Sequence, residues 1–181
     1  MKTALILVDI QNDYFPGGKM ELEGSLAASL KAQELLAFFR QRQAPVFHIQ
    51  HVAIRPGASF FLPGTPGVEI HGSVMPLAGE VVFQKHYPNS FRDAPLLAAL
   101  HTGQIYELVI CGMMTHMCID STTRSANDLG FDCRVAGDAC ATRQLSLSGQ
   151  TIPAAAVHLA FLAALNGSFA RVLSTAEIIS V

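Results

Sequence analysis

Short apolar runs recur along the chain and predict six β-strands. Residues 4–8 form a continuous run, which is typical of a strand buried on both faces of a parallel sheet. Comparable runs predict further strands at residues 45–50, 81–84, 108–111, 131–136 and 170–173. Each run has the length of an ordinary strand and is followed by a polar or glycine-containing segment.

Helical segments separate most of these runs. We predict helices at residues 25–42, 93–101, 115–129 and 153–165, and a short helical turn at residues 175–179. In the first helix, Leu26, Leu30 and Phe38 are among the apolar positions. Residues 53–80 are rich in Gly and Pro and predict a long ordered loop.

The alternation of strands and helices predicts an α/β fold. We expect a three-layer α/β/α sandwich with a six-stranded parallel, Rossmann-like sheet, built as a single domain over residues 1–181. A nucleotide-binding Rossmann module is disfavoured, because no GxGxxG motif follows the first strand.

Composition narrows the class of protein. Half of the 181 residues are hydrophobic and 14% are charged, which allows a large core and argues against disorder. The formal net charge is -2 with no basic stripe, so we expect no nucleic-acid partner. No apolar stretch approaches the ~18 residues of a membrane helix, and the N-terminus lacks a signal-peptide pattern. The expectation is therefore a soluble cytoplasmic protein without a membrane partner.

Three reactive residues follow predicted strands. In parallel α/β sheets, ligands bind at the carboxyl ends of the strands, where Asp9, Lys85 and Cys118 are expected. Asp9 could simply mark the end of a strand, and a lone lysine usually reaches into solvent. Cys118 lies at the start of a predicted helix, where the helix dipole favours a thiolate and Lys85 would lower its pKa further. Together the three residues could supply nucleophile, base and electrostatic support.

The backbone before Cys118 offers a candidate oxyanion hole. Backbone N–H groups in the first turn of a helix have no acceptor within the helix and can bind a developing negative charge. We predict this role for the N–H groups of Met114 and Cys118. The other cysteines, Cys111, Cys133 and Cys140, are weaker candidates. The first two fall in predicted strands, and Cys140 is expected in the loop after the fifth strand.

Three segments resemble the isochorismatase-like cysteine hydrolases, a superfamily that includes the nicotinamidases. They are residues 8–15 (VDIQNDYF), 82–91 (VFQK followed by NSF) and 111–118 (CGMMTHMC), which resemble that family's aspartate, lysine and nucleophile segments in the same order. The resemblance extends over nearly the whole chain. It implies a hydrolase acting mainly on amide-like C–N bonds of a small molecule, a homodimer or homotetramer, and a cis peptide bond before Met114.

The chain departs from the nicotinamidase branch at its metal site. That branch carries Asp-x-His after the second strand, and Ile49 occupies the Asp position here. We therefore expect no metal and no cofactor. His48, His51 and His71 are interpreted as core or loop residues.

The sequence leaves alternatives open both for the residues of the substrate pocket and for the reaction. Phe15, Phe60, Phe61 and Phe91 are candidates for an apolar pocket wall, although such a residue is more often part of the core. His116 could touch the substrate or pack at the start of the helix. Besides amide hydrolysis, the residues allow isochorismate-type vinyl-ether hydrolysis with Asp9 as acid. A catalytically idle ligand-binding domain is the third possibility.

Overall fold

A six-stranded parallel sheet forms the centre of the molecule. The computed structural model describes residues 2–180. The strands are β1 (Lys2–Val8), β2 (Val46–His51), β3 (Val81–Lys85), β4 (Ile105–Met113), β5 (Asp132–Ala141), β6 (Leu145–Leu147), β7 (Gln150–Ile152) and β8 (Arg171–Leu173). The sheet has the order β3-β2-β1-β4-β5-β8, and β6 and β7 form a separate antiparallel hairpin.

Helices cover both faces of this sheet. They are α1 (Ser25–Gln41), α2 (Leu96–Thr102), α3 (Asp120–Asp128), α4 (Ala154–Leu165) and α5 (Thr175–Ile179). Side chains of β1 alternate between two cores: Leu5 and Leu7 pack with α1 and α5, and Ile6 and Val8 with the apolar residues of α2 and α3. The predicted α/β/α sandwich with six parallel strands is thereby confirmed.

Some predicted boundaries and faces were wrong. Helix α2 begins at Leu96 and not at residue 93, because Pro95 disfavours helical backbone at the residue before it. In α1, Leu26 and Leu30 are exposed, and the buried face is formed by alanines together with Leu35, Leu36 and Phe39. The hairpin of β6 and β7 was not predicted.

Strand β5 runs five residues beyond its predicted end at residue 136. Within this extension, the carboxylate of Asp138 accepts hydrogen bonds from the backbone N–H and hydroxyl of Thr175, both at 2.8 Å, at the start of α5. Cys140 consequently lies within β5, buried, and not in a loop.

Gly112 brings β4 unusually close to the end of β1. Its φ angle is +127°, and a Cβ atom at this position would lie 2.0 Å from the carbonyl oxygen of Val8. Only glycine fits such an approach. As a result, the chain leading to Cys118 passes beside the residue that precedes Asp9. No helix within residues 2–180 is both long and apolar enough to span a bilayer.

Candidate active site

Asp9, Lys85 and Cys118 meet at the carboxyl end of the sheet. Asp9 directly follows β1, Lys85 is the last residue of β3, and Cys118 lies in a π-helical turn, Thr115–Ile119, between β4 and α3. Lys85 Nζ lies 2.7 Å from Asp9 Oδ2 and 3.2 Å from Cys118 Sγ. The structure thus brings together the three residues that the strand-end rule selected.

Lys85 reaches the site from the edge of the sheet. Strand β2 separates β3 from β1, so the lysine side chain must extend across the end of β2. Its Nζ is also within 3.3 Å of His51 Nδ1 and of the carbonyl oxygens of Tyr87 and Pro88. Burial by itself lowers the pKa of Lys85, but the charges of Asp9 and Cys118 outweigh this effect and leave the pKa raised. Lys85 is therefore an ammonium at neutral pH.

Cys118 differs from the thiolate expected at a helix start. The residue is 4% exposed, and burial raises the pKa of its thiol well above the ordinary range. The negative charge of Asp9 raises this pKa further, and Lys85 opposes the shift without cancelling it. Burial therefore favours the protonated thiol of Cys118 over the thiolate.

One carboxylate oxygen of Asp9 has no hydrogen-bond donor among the described residues. Oδ2 is paired with Lys85, whereas Oδ1 is buried and accepts no hydrogen bond from any residue that the structure describes. Ligating atoms of Asp9, His51 and Cys118 lie within 4.8 Å of one another. A buried carboxylate oxygen without a donor is unfavourable, and a proton or a substrate N–H would satisfy it.

The Met113–Met114 peptide bond is cis, as the resemblance implied. The carbonyl of Met114 accepts hydrogen bonds from the N–H groups of Met117 (3.0 Å) and Ile119 (3.2 Å), which fixes the start of the π-helical turn. Met114 directly precedes this turn, and both Met114 and Cys118 are buried. The oxyanion hole formed by the Met114 and Cys118 N–H groups stays a prediction.

The predicted pocket residues divide into two sets. Phe60 and Phe61 pack around Tyr14, and the ring of Phe61 also lies 5.9 Å from that of His51, which places this aromatic group next to the site. Phe15 instead stacks on His71, with ring centroids 3.6 Å apart. Phe91 stacks on Phe131. A role of Phe15, Phe60 and Phe91 in a substrate pocket stays a prediction.

His116 is held between two neighbours. Its Nδ1 forms a hydrogen bond with the hydroxyl of Thr142, and its ring makes an edge contact with Phe161 of α4. Burial lowers its pKa, and the positive charge of Arg143 acts in the same direction. His116 therefore links the π-helical turn to the segment that follows β5.

Sequence reasoning missed three residues at or near the site: His51, Tyr14 and Arg143. His51 ends β2, so the strand-end rule could have selected it. Burial raises the pKa of Tyr14, and the charges of Cys118 and Asp9 raise it further, whereas Arg143 lowers it. Tyr14 therefore lies close enough to Asp9, Cys118 and Arg143 for their charges to act on its hydroxyl. Arg143 follows β5 by two residues, and the error in the end of β5 concealed it.

The residues at the site do not fit a resident metal ion. Asp9, His51 and Cys118 have the donor types of a metal site, but the Lys85 ammonium is within 3.2 Å of all three side chains. A divalent cation among them would face that positive charge at close range. Ile49, at the position of the aspartate in the metal-binding branch, is buried and apolar.

The fold is that of a known family of hydrolases. The isochorismatase domain model matches residues 3–177, and the chain belongs to the isochorismatase family of hydrolases. The isochorismatase family protein YddQ of Bacillus subtilis is 53% identical over 97% of each chain. The nicotinamidase/pyrazinamidase of Mycobacterium tuberculosis is 31% identical, covering 75% of this chain and 84% of that protein. The crystal structure of a protein from Oleispira antarctica, described as an isochorismatase hydrolase, matches this chain with a TM-score of 0.96. The two chains are 50% identical, and the match covers 99% of this chain and 97% of that one.

Proposed function

We propose that the protein is a cysteine hydrolase that cleaves an amide-type C–N bond of a small molecule through a thioester on Cys118. The observation that carries this proposal is the buried contact of one ammonium with both a carboxylate and a thiol, at 2.7 and 3.2 Å. Similarity to a nicotinamidase supports the choice of an amide bond.

In the first half of the reaction, Asp9 acts as general base. Its free Oδ1 takes the Cys118 proton while the sulfur attacks the carbonyl carbon, and the positive charge of Lys85 stabilises the developing thiolate. The oxyanion is held by the N–H groups of Met114 and Cys118. Asp9 then gives the proton to the leaving nitrogen, so ammonia or an amine departs and the thioester remains.

In the second half, water replaces the amine. Asp9, again a carboxylate, takes a proton from a water molecule that attacks the thioester carbon. The C–S bond breaks, the proton returns to the sulfur, and a carboxylic acid leaves. Asp9 thus serves both half-reactions with one oxygen, while the other stays paired with Lys85.

A panel of small amides tests the proposal. Cys118→Ala should lower kcat at least ~10³-fold, because the covalent route is lost. Cys133→Ala is the matched control, since Cys133 is also a buried thiol but lies in β5 away from Asp9 and Lys85. Mass spectrometry of the quenched wild type should detect an acyl group on Cys118. Turnover that survives in Cys118→Ala would indicate chemistry without the thiol, such as vinyl-ether hydrolysis, and would refute the proposal.

A further inference from the structure

The ring of His51 lies beside Asp9, Lys85 and Cys118, but the proposed mechanism gives it no role. Its Nδ1 is 3.2 Å from the ammonium of Lys85, and a ring nitrogen lies within 4.8 Å of ligating atoms of Asp9 and Cys118. The residue is half-buried at the end of β2. Its other nitrogen, Nε2, forms no hydrogen bond with any residue that the structure describes. One nitrogen of the ring is thus held by Lys85, and the other has no partner within residues 2–180.

The contact with Lys85 determines which ring nitrogen carries the hydrogen. An ammonium can only donate, so Nδ1 accepts from it with its lone pair. The hydrogen of the neutral ring then lies on Nε2. Burial lowers the pKa of His51; the charge of Asp9 opposes this shift, and the charge of Lys85 reinforces it. His51 is therefore a neutral hydrogen-bond donor and not a second base.

Gln11 fixes the backbone that carries this ring. Its side-chain amide donates to the carbonyl oxygen of His51 at 2.9 Å, and its side-chain oxygen accepts from the His51 N–H at 2.8 Å. Gln11 is itself buried and donates to the carbonyl oxygen of Val68 at 2.7 Å. A donor that the fold holds in this way loses little freedom when it binds a ligand, which favours a selective contact.

The charges next to the ring favour an uncharged acceptor. The carboxylate of Asp9 lies within 4.8 Å of a ring nitrogen, so it would repel an anion bound to His51. Lys85 does not offset this repulsion, because its charge is paired with Asp9 at 2.7 Å. The neutral ring of His51 adds no positive charge of its own. A neutral oxygen therefore suits this donor better than a carboxylate does.

We propose that the Nε2–H of His51 donates to an uncharged oxygen on the acyl part of the substrate, so that His51 selects amides with an ether or carbonyl oxygen near the scissile bond. This inference rests on the proposed amide hydrolysis and names its substrate class. In that mechanism the leaving nitrogen faces Asp9 and the scissile carbonyl oxygen faces backbone N–H groups, which leaves the acyl part for His51. Because that part stays on Cys118 in the thioester, the contact acts in both half-reactions.

Matched pairs of amides test this assignment. Methoxyacetamide and acetoacetamide carry an acceptor on the acyl part, and butanamide and isovaleramide are their hydrocarbon matches. The measured quantity is the ratio of kcat/KM within each pair, because intrinsic reactivity cancels when wild type and variant are compared. His51→Asn keeps an acceptor for Lys85 but loses the outer donor, so the ratio for at least one pair should fall about 3- to 10-fold, as for one neutral hydrogen bond. His51→Gln, whose amide extends as far as Nε2, should retain part of the preference.

His86→Asn is the control for these ratios. His86 follows Lys85 directly in the chain, but it is exposed and its Nδ1 bonds to the carbonyl oxygen of Val52 at 2.8 Å. Its ratios should equal those of the wild type. Unchanged ratios for both pairs in His51→Asn would overturn the inference and leave the amidase proposal standing. A fall in His86→Asn as large as that in His51→Asn would overturn it as well.

Nitrogen NMR separates this inference from the proposed function. With ¹⁵N-labelled histidine, His51 should carry its hydrogen on Nε2 at pH 7, and a hydrogen on Nδ1 would overturn the inference. In Cys118→Ala, which should not turn the amides over, methoxyacetamide or acetoacetamide should shift the Nε2–H resonance more than its hydrocarbon match does. If the wild type cleaves no amide but this difference is found, the donor site stands and the amidase proposal fails. If neither acceptor amide shifts the resonance more than its match, the donor site is refuted whatever the activity.

Discussion

Lys85 Nζ and Asp9 Oδ2 form a 2.7 Å ion pair in which both side chains are fully buried, although the two residues end strands that are not neighbours in the sheet. A buried ion pair is a poor source of net stability, since desolvation offsets its attraction. The proposed chemistry gives this pair a role instead, because it holds the positive charge of Lys85 beside Cys118.

Breaking this pair should destabilise the protein more than removing it altogether. Lys85→Met leaves Asp9 as an uncompensated buried charge, which costs about 3–5 kcal/mol of unfolding free energy. The double variant Lys85→Met/Asp9→Asn has no charge to leave unpaired and should recover much of that loss, while remaining inactive. Urea unfolding measures the unfolding free energy of the single and the double variant. A double variant no more stable than Lys85→Met would show that the charges are not coupled.

Cys118 should behave as a thiol and not as a preformed thiolate. Because burial raises its pKa, the rate of its alkylation by iodoacetamide should be low at pH 7 and should still be rising at pH 9.5. Peptide mapping by mass spectrometry assigns the label to Cys118, Cys133 or Cys140. A rate that reaches a plateau near pH 7 would mean that the charge of Lys85 lowers the pKa of Cys118 more than burial raises it.

Activity should not depend on a divalent metal. The Lys85 ammonium is within hydrogen-bond distance of the three donors that a metal would need. Dialysis against 1,10-phenanthroline and EDTA should leave kcat/KM unchanged. Loss of turnover that zinc or manganese restores would contradict both this expectation and the interpretation of Ile49.

Glu80 should make the protein sensitive to acid. Hydrogen bonds from Arg40, and then from the Leu77 N–H and His48, lower its pKa to about 2 despite partial burial. A carboxylate with a depressed pKa adds stability above its unfolded pKa of ~4.5 and loses it as pH falls toward 2. Glu80→Gln should therefore be about 2 kcal/mol less stable at pH 7, a value discounted for partial exposure. The difference should shrink as unfolding is measured from pH 5 down to 2.5, and a constant difference would refute the assignment.

The outer face of α4 is where we expect copies of the chain to meet. The helix has no charged residue, and Leu159 is 69% exposed on it; Leu147 of the adjoining hairpin is 75% exposed. Exposed apolar faces are typical of interfaces between subunits, and the alanines of α4 would allow two identical helices to approach closely. Light scattering should give a multiple of 19.4 kDa for the wild type and a lower mass for Leu159→Glu. Leu77→Glu, in an exposed loop, is the control, and unchanged mass in Leu159→Glu would exclude this face.

The strand-end rule explains how much of the site the sequence could predict. Asp9, Lys85 and Cys118 each follow an apolar run, so their common edge of the sheet was predictable without distances. The thiol state of Cys118 was not, because the pKa depends on burial by residues far apart in the sequence. Arg143 was missed because β5 was predicted to end at residue 136 and not at residue 141. The contact of Asp138 with the start of α5 joins residues 37 positions apart, which a local pattern cannot show.

Other features of the fold could be predicted only in part, for a similar reason. Local patterns predicted each strand of the sheet, since period and composition are local properties. The positions of the large apolar residues do not by themselves show which face of α1 is buried. Alanines there allow close packing on the sheet, and Leu26 and Leu30 point away from it.

Because the proposed catalytic lysine, Lys85, lies on an edge strand of the sheet, the return of activity during refolding should report when that strand forms. Strand β3 pairs with β2 alone, and Val81 and Val82 at its start are 39% and 38% exposed. Edge strands with few buried apolar side chains are among the parts of a domain that open most readily. On refolding from urea, we therefore expect activity to return no earlier than the protection of the β3 amides from hydrogen exchange, even when the helical circular dichroism signal has already recovered.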